Sequence, residues 1–346
     1  MARDALSYAP ESPELLLNLS SAETADGQPE EAWRTLDRAL GIAPDYAPAK
    51  LNRAMVRLLL EDIPGAWVDF EARPSRGMPP HPDIQKIPEW NGEKLSGKTL
   101  IVWAEQGYGD TIQFARFLPR LKDYGASLLL IIPEALAPVF QNFTAVDGLI
   151  IQNNDLKLPA ADFQVPMLSL MYHLNISLND IVNTKSNLNF ISRTSHPFGN
   201  EKLPVLGLCW QGSEQNPNDH RRSIPLSELL DRISNLELTF IGLQHGSTEV
   251  PIANPAANVS DFGETAALIL ACDLVISVDT SVAHLSGALG KPVWTLLPYS
   301  PDWRWGLGRK TTPWYQTMRL FRQPAPGDWD SVFGDISEAL RNHSFN

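Results

Sequence analysis

The stretch 273–293, Asp-Leu-Val-Ile-Ser-Val-Asp-Thr-Ser-Val-Ala-His-Leu-Ser-Gly-Ala-Leu-Gly-Lys-Pro-Val, constrains the fold more than any other part of this chain. Leu274 to Val278 read as a buried strand, and Asp279, Thr280 and Ser281 as a tight polar turn. Val282 to Leu289 read as a helix that Gly290 stops, and a second strand opens at Val293. A strand, a turn of small polar residues and a helix form the repeating unit of an open α/β sheet. Ligands of such sheets bind beyond the carboxyl ends of the strands, where helix N-termini offer unpaired N–H groups. A phosphate-bearing ligand suits this turn.

The same alternation runs through most of the chain. Strands are expected at 99–104, 127–132, 148–151 and 162–165, with a Gly-rich turn at 105–110 and helices at 111–124 and 133–142. A second series has strands at 205–210 and 236–243 and helices at 225–233 and 264–271, and then reaches the opening stretch. Pro197, Gly199 and Pro204 interrupt the pattern between them. Two Rossmann-like halves, 98–198 and 203–325, are therefore expected to face each other across a cleft. The last segment, 326–346, carries an amphipathic helix from Trp329 to Arg341.

Residues 1–75 follow a different rule. Ala5 and Ala39 are 34 apart, as are Pro10 and Pro44, Ala32 and Ala66, Trp33 and Trp67, and Leu36 and Phe70. A helical period of 34, with Ala where helices cross and Pro at the end, is the tetratricopeptide pattern. Only about two units are present, fewer than the ~3 that usually bury a continuous core, so the module is expected to lean on the next domain. It serves either to recruit a peptide or acceptor, or as a structural cap or homo-oligomer contact. Residues 76–97, rich in proline, read as an extended linker.

The net charge of −12 makes nucleic acid and anionic membrane poor partners, and no apolar run reaches ~18 residues, so no transmembrane segment is expected. Cys209 and Cys272, in apolar contexts without metal-ligand spacing, read as buried thiols, and a cytoplasmic location is expected. Against this acidic background the adjacent Arg221 and Arg222 stand out beyond a strand end. They are either a solvated surface pair or a counter-charge for a diphosphate. Gly212 lets the backbone approach a ligand. Asp110 either caps the helix after it or accepts a proton there, with Glu105 a weaker rival for the second role. Trp303 and Trp305, with the Thr312-Pro-Trp-Tyr315 and Arg319-Leu-Phe-Arg322 clusters, either wall a sugar or base or pack between domains. Gln244 and Glu264 are candidates for base or ribose contact. Asp328-Trp-Asp330 has the outline of a metal motif but reads as a helix N-terminal cap, and no metal constellation is expected.

Four stretches in order carry a resemblance: Gly107-Tyr-Gly-Asp110-Thr-Ile-Gln-Phe, Leu208-Cys-Trp-Gln-Gly-Ser213 continuing to Arg222, Asp279-Thr280-Ser281 with His284, and Leu297 to Trp305. Over roughly 98–325 the chain resembles glycosyltransferase family 9, the heptosyltransferase-like family. The resemblance implies an α/β GT-B fold whose last helix crosses back onto the first half, and a metal-independent, inverting transfer from a nucleotide-diphosphate sugar with no further cofactor. It implies Asp110 as general base on the acceptor hydroxyl. It places the donor near Gly212, Arg221, Arg222, Gln244, Asp279, Thr280, Ser281 and His284, and the acceptor or sugar near Gln106, Gly107, Gly109, Trp303 and Trp305. Many family members carry Lys where this chain has the Arg pair. Repeats ahead of such a domain are similar in organisation to O-GlcNAc transferases, so a protein acceptor stands beside a glycan one. The alternative is a scaffold that kept the fold and lost activity.

Overall fold

The structure, a computed structural model, describes residues 9–153, 156–185, 188, 203–216, 218–247 and 249–345. Ala5 and the interruption at 195–202, with Pro197 and Gly199, lie outside the described residues. Four helices open the chain: α1 (Pro13–Ala25), α2 (Pro29–Ile42), α3 (Ala47–Leu59) and α4 (Ile63–Phe70). Each begins with proline in its first turn, where the missing N–H removes no intrahelical bond. Neighbouring helices pack pairwise, and Ala32 and Ala66, at equivalent positions, are both fully buried. Arg53 of α3 ties three helices together, donating to both oxygens of Asp69 at 2.7 and 2.9 Å and to Asp37 at 2.8 Å.

The first half is a parallel sheet in the order β3-β2-β1-β4, made of β1 (Thr99–Trp103), β2 (Ser127–Pro133), β3 (Gly148–Gln152) and β4 (Phe163–Pro166). The helix expected at 111–124 starts earlier, as α5 (Tyr108–Phe114), and breaks into a 3-10 turn at 115–117 before a short helix at 118–122. Pro119 has no N–H to offer the Ala115 carbonyl, so the chain tightens there. Pro138 leaves Glu134 in the same position, and the helix expected at 133–142 shrinks to 137–140 after a 3-10 turn.

The second half is a five-stranded parallel sheet in the order β6-β5-β7-β8-β9. Its strands are β5 (Val205–Cys209), β6 (Thr239–Gly242), β7 (Leu274–Val278), β8 (Val293–Leu297) and β9 (Met318–Arg322). Its main helices are α6 (Leu226–Ile233), α7 (Phe262–Ala271), α8 (Ser281–Ala288) and α9 (Trp329–Arg341). Strand β9 is unforeseen: Arg319-Leu-Phe-Arg322 pairs in parallel with β8 instead of walling a sugar, and the Arg319 guanidinium lies over Phe321 and Trp294. Helix α9 does not cross back to the first half. Val332, Phe333, Ile336 and Leu340 form an apolar stripe buried with Leu206, Leu208 and Ile276 of the second sheet, against α6 and β9. Asp328 caps α9 by accepting the Ser331 N–H at 3.1 Å, as its sequence context suggests.

Residues 76–97 are no free linker. Ile84, Trp90 and Leu95 are fully buried, and Gln164 of β4 accepts the Trp90 N–H and donates its own N–H to the Pro88 carbonyl. One apolar cluster runs from α3 and α4 through the first sheet into α7, α8 and the 303–315 loop of the second half. The helical layer therefore does lean on the two α/β halves. No helix among the described residues is long and apolar enough to cross a membrane.

Candidate active site

Both sheets point the carboxyl ends of their strands at one cleft of 1330 Å3. In the second sheet the chain leaves β5 toward β6 and returns to β7 on the other side. The crevice between β5 and β7 is thus a topological switch point, where open α/β sheets bind ligands. Cys209, Gln211 and Gly212 line it from β5, and Asp279, Thr280 and Ser281 from β7. Thr280 is the N-cap residue of α8 but makes no side-chain cap, its hydroxyl lying 3.1 Å from Ser277 Oγ. The first-turn N–H groups of α8 have no intrahelical acceptor, the arrangement that receives anions.

Arg222 enters the same crevice. Its Nη1 donates to the Asp279 carbonyl at 2.6 Å and its Nε to Asp219 at 3.0 Å, while Asp219 accepts from Ser223 Oγ, which in turn receives the Gly212 N–H at 3.0 Å. A Cβ at Gly212 would run into Asp219 and the Arg222 guanidinium, so the small residue is a condition for this arginine's placement. Gln244 Oε1 accepts the Gln211 N–H at 3.0 Å and holds the strand end open.

From the other side comes the β1–α5 turn. Gln106 has a φ of +60°, and its side chain donates to Ser75 Oγ. Gly107 is the N-cap, and Asp110, three residues on, accepts the Gly107 N–H at 2.9 Å through Oδ2. Asp110 is therefore the reciprocating partner of the cap, not the cap. Helix α5 packs directly on α8: a Cβ at Gly109 would lie 2.8 Å from His284 Cδ2. The N-termini of two helices from two sheets thus meet, with Asp110 on one and the Thr280–His284 turn on the other.

Arg304 bridges the halves. Its guanidinium donates to Asp110 Oδ1 through Nη2, to Asp302 Oδ1 at 2.9 Å through Nη1, and to Gln113 Oε1 at 2.6 Å through Nε. It lies 4.4 Å from the centroid of the Trp303 ring. Burial pushes the Asp110 carboxyl up from its ordinary value, and Arg304 and the Gly107 N–H pull it back. Burial, with Asp302 nearby, raises Asp279 to about 6. Burial, reinforced by Arg304, Arg116 and Arg222, holds His284 well below the usual imidazole range, so the ring is neutral at pH 7. His284 Nδ1 shares a 2.9 Å hydrogen bond with Tyr315 OH, and its Nε2 lies 3.8 Å from Asp279.

Of the residues singled out in the sequence, the cleft gathers Gln106, Gly107, Gly109, Asp110, Gly212, Arg222, Gln244, Asp279, Thr280, Ser281 and His284. Arg221 is exposed and outside it, because the short helix that aims Arg222 inward turns its neighbour to solvent. Trp303 and Trp305 are buried and wall no sugar: Trp303 packs among Trp67, Phe70, Phe114 and Trp314, and Trp305 against His284. Glu105 is locked to Arg73 at 2.6 and 3.0 Å, and Glu264 accepts the Ser260 N–H at the start of α7, so neither reaches the cleft. Cys209 and Cys272 are both buried and free. Arg304 lies inside the Leu297–Trp305 stretch but has no role of its own in the sequence reading. Its signal was the Trp-Arg-Trp alternation in a turn that otherwise buries. Tyr108 and Phe262, 5.0 Å apart across the mouth, were missed as well.

Residues 248–326 match the model for glycosyltransferase family 9 (heptosyltransferase), and the segment spans α7 to β9 with the 302–305 turn. The matched model is that of a glycosyltransferase family, and the match takes in less than a quarter of this chain. The chain is 27% identical to Protein FlbA of Caulobacter vibrioides over 384 aligned positions, which take in 98% of this chain and 63% of that protein. It thus spans less than two thirds of that relative's length. Among solved structures it is similar to a family 9 glycosyl transferase from Veillonella parvula, with 14% identity, TM-score 0.48, and coverage of 74% of this chain and 92% of that one. It is also similar to the ADP-heptose lps heptosyltransferase II of E. coli, with 15% identity, TM-score 0.46, and coverage of 70% and 98%.

Proposed function

We propose that the protein moves a sugar from a nucleotide-diphosphate sugar to an acceptor hydroxyl, with inversion and without a metal, as a GT-B-type transferase. One observation carries this reading: the uncapped N-terminus of α8 with Arg222 faces the Asp110 carboxylate across a single cleft at the β5/β7 switch point. The diphosphate lies on the α8 N–H groups, with Arg222 as counter-charge. The acceptor oxygen attacks the anomeric carbon from the Asp110 side and its proton passes to the carboxylate. The C–O bond to phosphate breaks, and its electron pair leaves on the diphosphate, which the helix end and guanidinium stabilise. Attack opposite the leaving group inverts the anomeric centre. The four N-terminal helices are two tetratricopeptide-type units, and the acceptor is a glycan or a protein.

Calorimetry with ADP-, GDP- and UDP-sugars, then turnover by the wild type and by Asp110→Asn, tests the proposal. The expected result is binding of one nucleotide class by both chains and a rate lower by ~10²–10⁴ in the variant. Binding without turnover on glycan or protein acceptors favours the scaffold reading. No binding of any nucleotide sugar overturns both.

A further inference from the structure

We propose that Arg304 is the positioning residue of the reaction, holding the Asp110 carboxylate from the opposite half of the molecule. The inference rests on the proposed function and adds a residue to it. The turn 303–305 alternates two buried tryptophans with one arginine. Trp303 is fixed between the N-terminal helices and Phe114, and Trp305 against His284, while Asp302 accepts the Arg304 N–H at 3.0 Å and Gly306, at φ +57°, ends the turn. The arginine between them is left one direction, into the cleft.

There each nitrogen of the guanidinium has a partner. Gln113 takes Nε, Asp302 takes Nη1 and Asp110 takes Nη2, and the flat face lies on Trp303. Asp110 is held at both oxygens, by Arg304 on Oδ1 and by the Gly107 N–H on Oδ2, which fixes its plane toward the incoming hydroxyl. Arg304 comes from the loop after β8 and Asp110 from α5, so the base is set only when the two halves are docked. Besides Arg304, the charged or titratable groups acting on Asp110 are Asp302 on that loop, Glu105 just after β1, and Tyr315, while Asp279, His284 and Arg222 line the same cleft. Arg304 is the cation bonded to it. A planar fork that meets two carboxylates and an amide is a task lysine cannot copy.

The test is the pH profile of kcat/KM for wild type, R304Q and R304K, read with the acceptor KM and the melting temperature. A cation at this range lowers a carboxyl pKa by about one to three units. In R304Q the acid limb is expected to move up by that much, with kcat falling and the acceptor KM unchanged. In R304K the limb stays in place while kcat falls about 10-fold, since charge is kept and the fork is lost. A purely structural arginine would lower the melting temperature and leave the limb where it was, and that result overturns the proposal. Should R304Q fail to fold, R304K decides: an unchanged kcat, or a limb that moves, overturns it. A wild type with no turnover on any donor removes the proposed function and this inference together, whereas an active wild type with an unmoved limb removes this inference alone.

Discussion

Asp279 shows how burial at one residue reaches the ligand. Its carboxyl, one residue before the α8 cap, faces Asp302 as well as Arg222 and Arg304, with His284 neutral beside it, and holds its proton up to about pH 6. A nucleotide sugar carries a diphosphate diester with no ionisation in that range, so its charge is constant while that of Asp279 changes. Donor affinity is therefore expected to fall as pH rises from 5 to 7.5, and Asp279→Asn to flatten the dependence; calorimetry across that range measures it. The linkage to stability has the same sign. The folded-state value is raised above the unfolded 3.8, so the folded chain keeps a proton the unfolded chain loses, and this contribution declines as pH climbs from about 4 to 6. Gly109 makes the complementary point about space, since the α5–α8 contact leaves no room for a side chain there.

Among elements, α4 does more than close a helical layer. Trp67 touches Phe70 and Trp303 at centroid distances of 5.8 Å, and its Nε1 donates to the Ile176 carbonyl at 2.8 Å, joining the helices to both halves. Trp67→Ala is expected to cost ~3–5 kcal/mol, seen as a lower urea midpoint. The same substitution removes the packing behind Trp303, on which the Arg304 guanidinium rests. The two interrupted helices of the first half argue likewise from backbone chemistry. A single proline in each removes a donor that the periodic apolar pattern takes for granted. The pattern therefore located α5 and the 137–140 helix without their lengths.

At the scale of the molecule, one apolar cluster joins α3 and α4 of the helical layer, the first sheet and the inner face of the second half. Layers that share a core lose it together. Urea unfolding followed by tryptophan fluorescence and by far-ultraviolet dichroism is expected to give superimposable transitions. An early fluorescence change with the dichroism intact would show the layers separating. The cleft depends on the same docking, because it is walled by β1–α5 on one side and β7–α8 on the other.

The α/β class, the succession of strands along the chain up to β8 and the residues of the α5 and α8 turns were set by local chemistry. Apolar periodicity, glycine turns and small polar caps act over a few neighbours and can be read along the chain. Whether Arg221 or Arg222 enters the cleft, where α9 packs, and whether Trp303 faces a ligand or a core depended on surfaces distant in sequence. Only the tertiary structure decided them. Arg304 belongs to that second group: its partners Asp110 and Gln113 lie almost two hundred residues upstream, and no spacing rule reaches across two sheets.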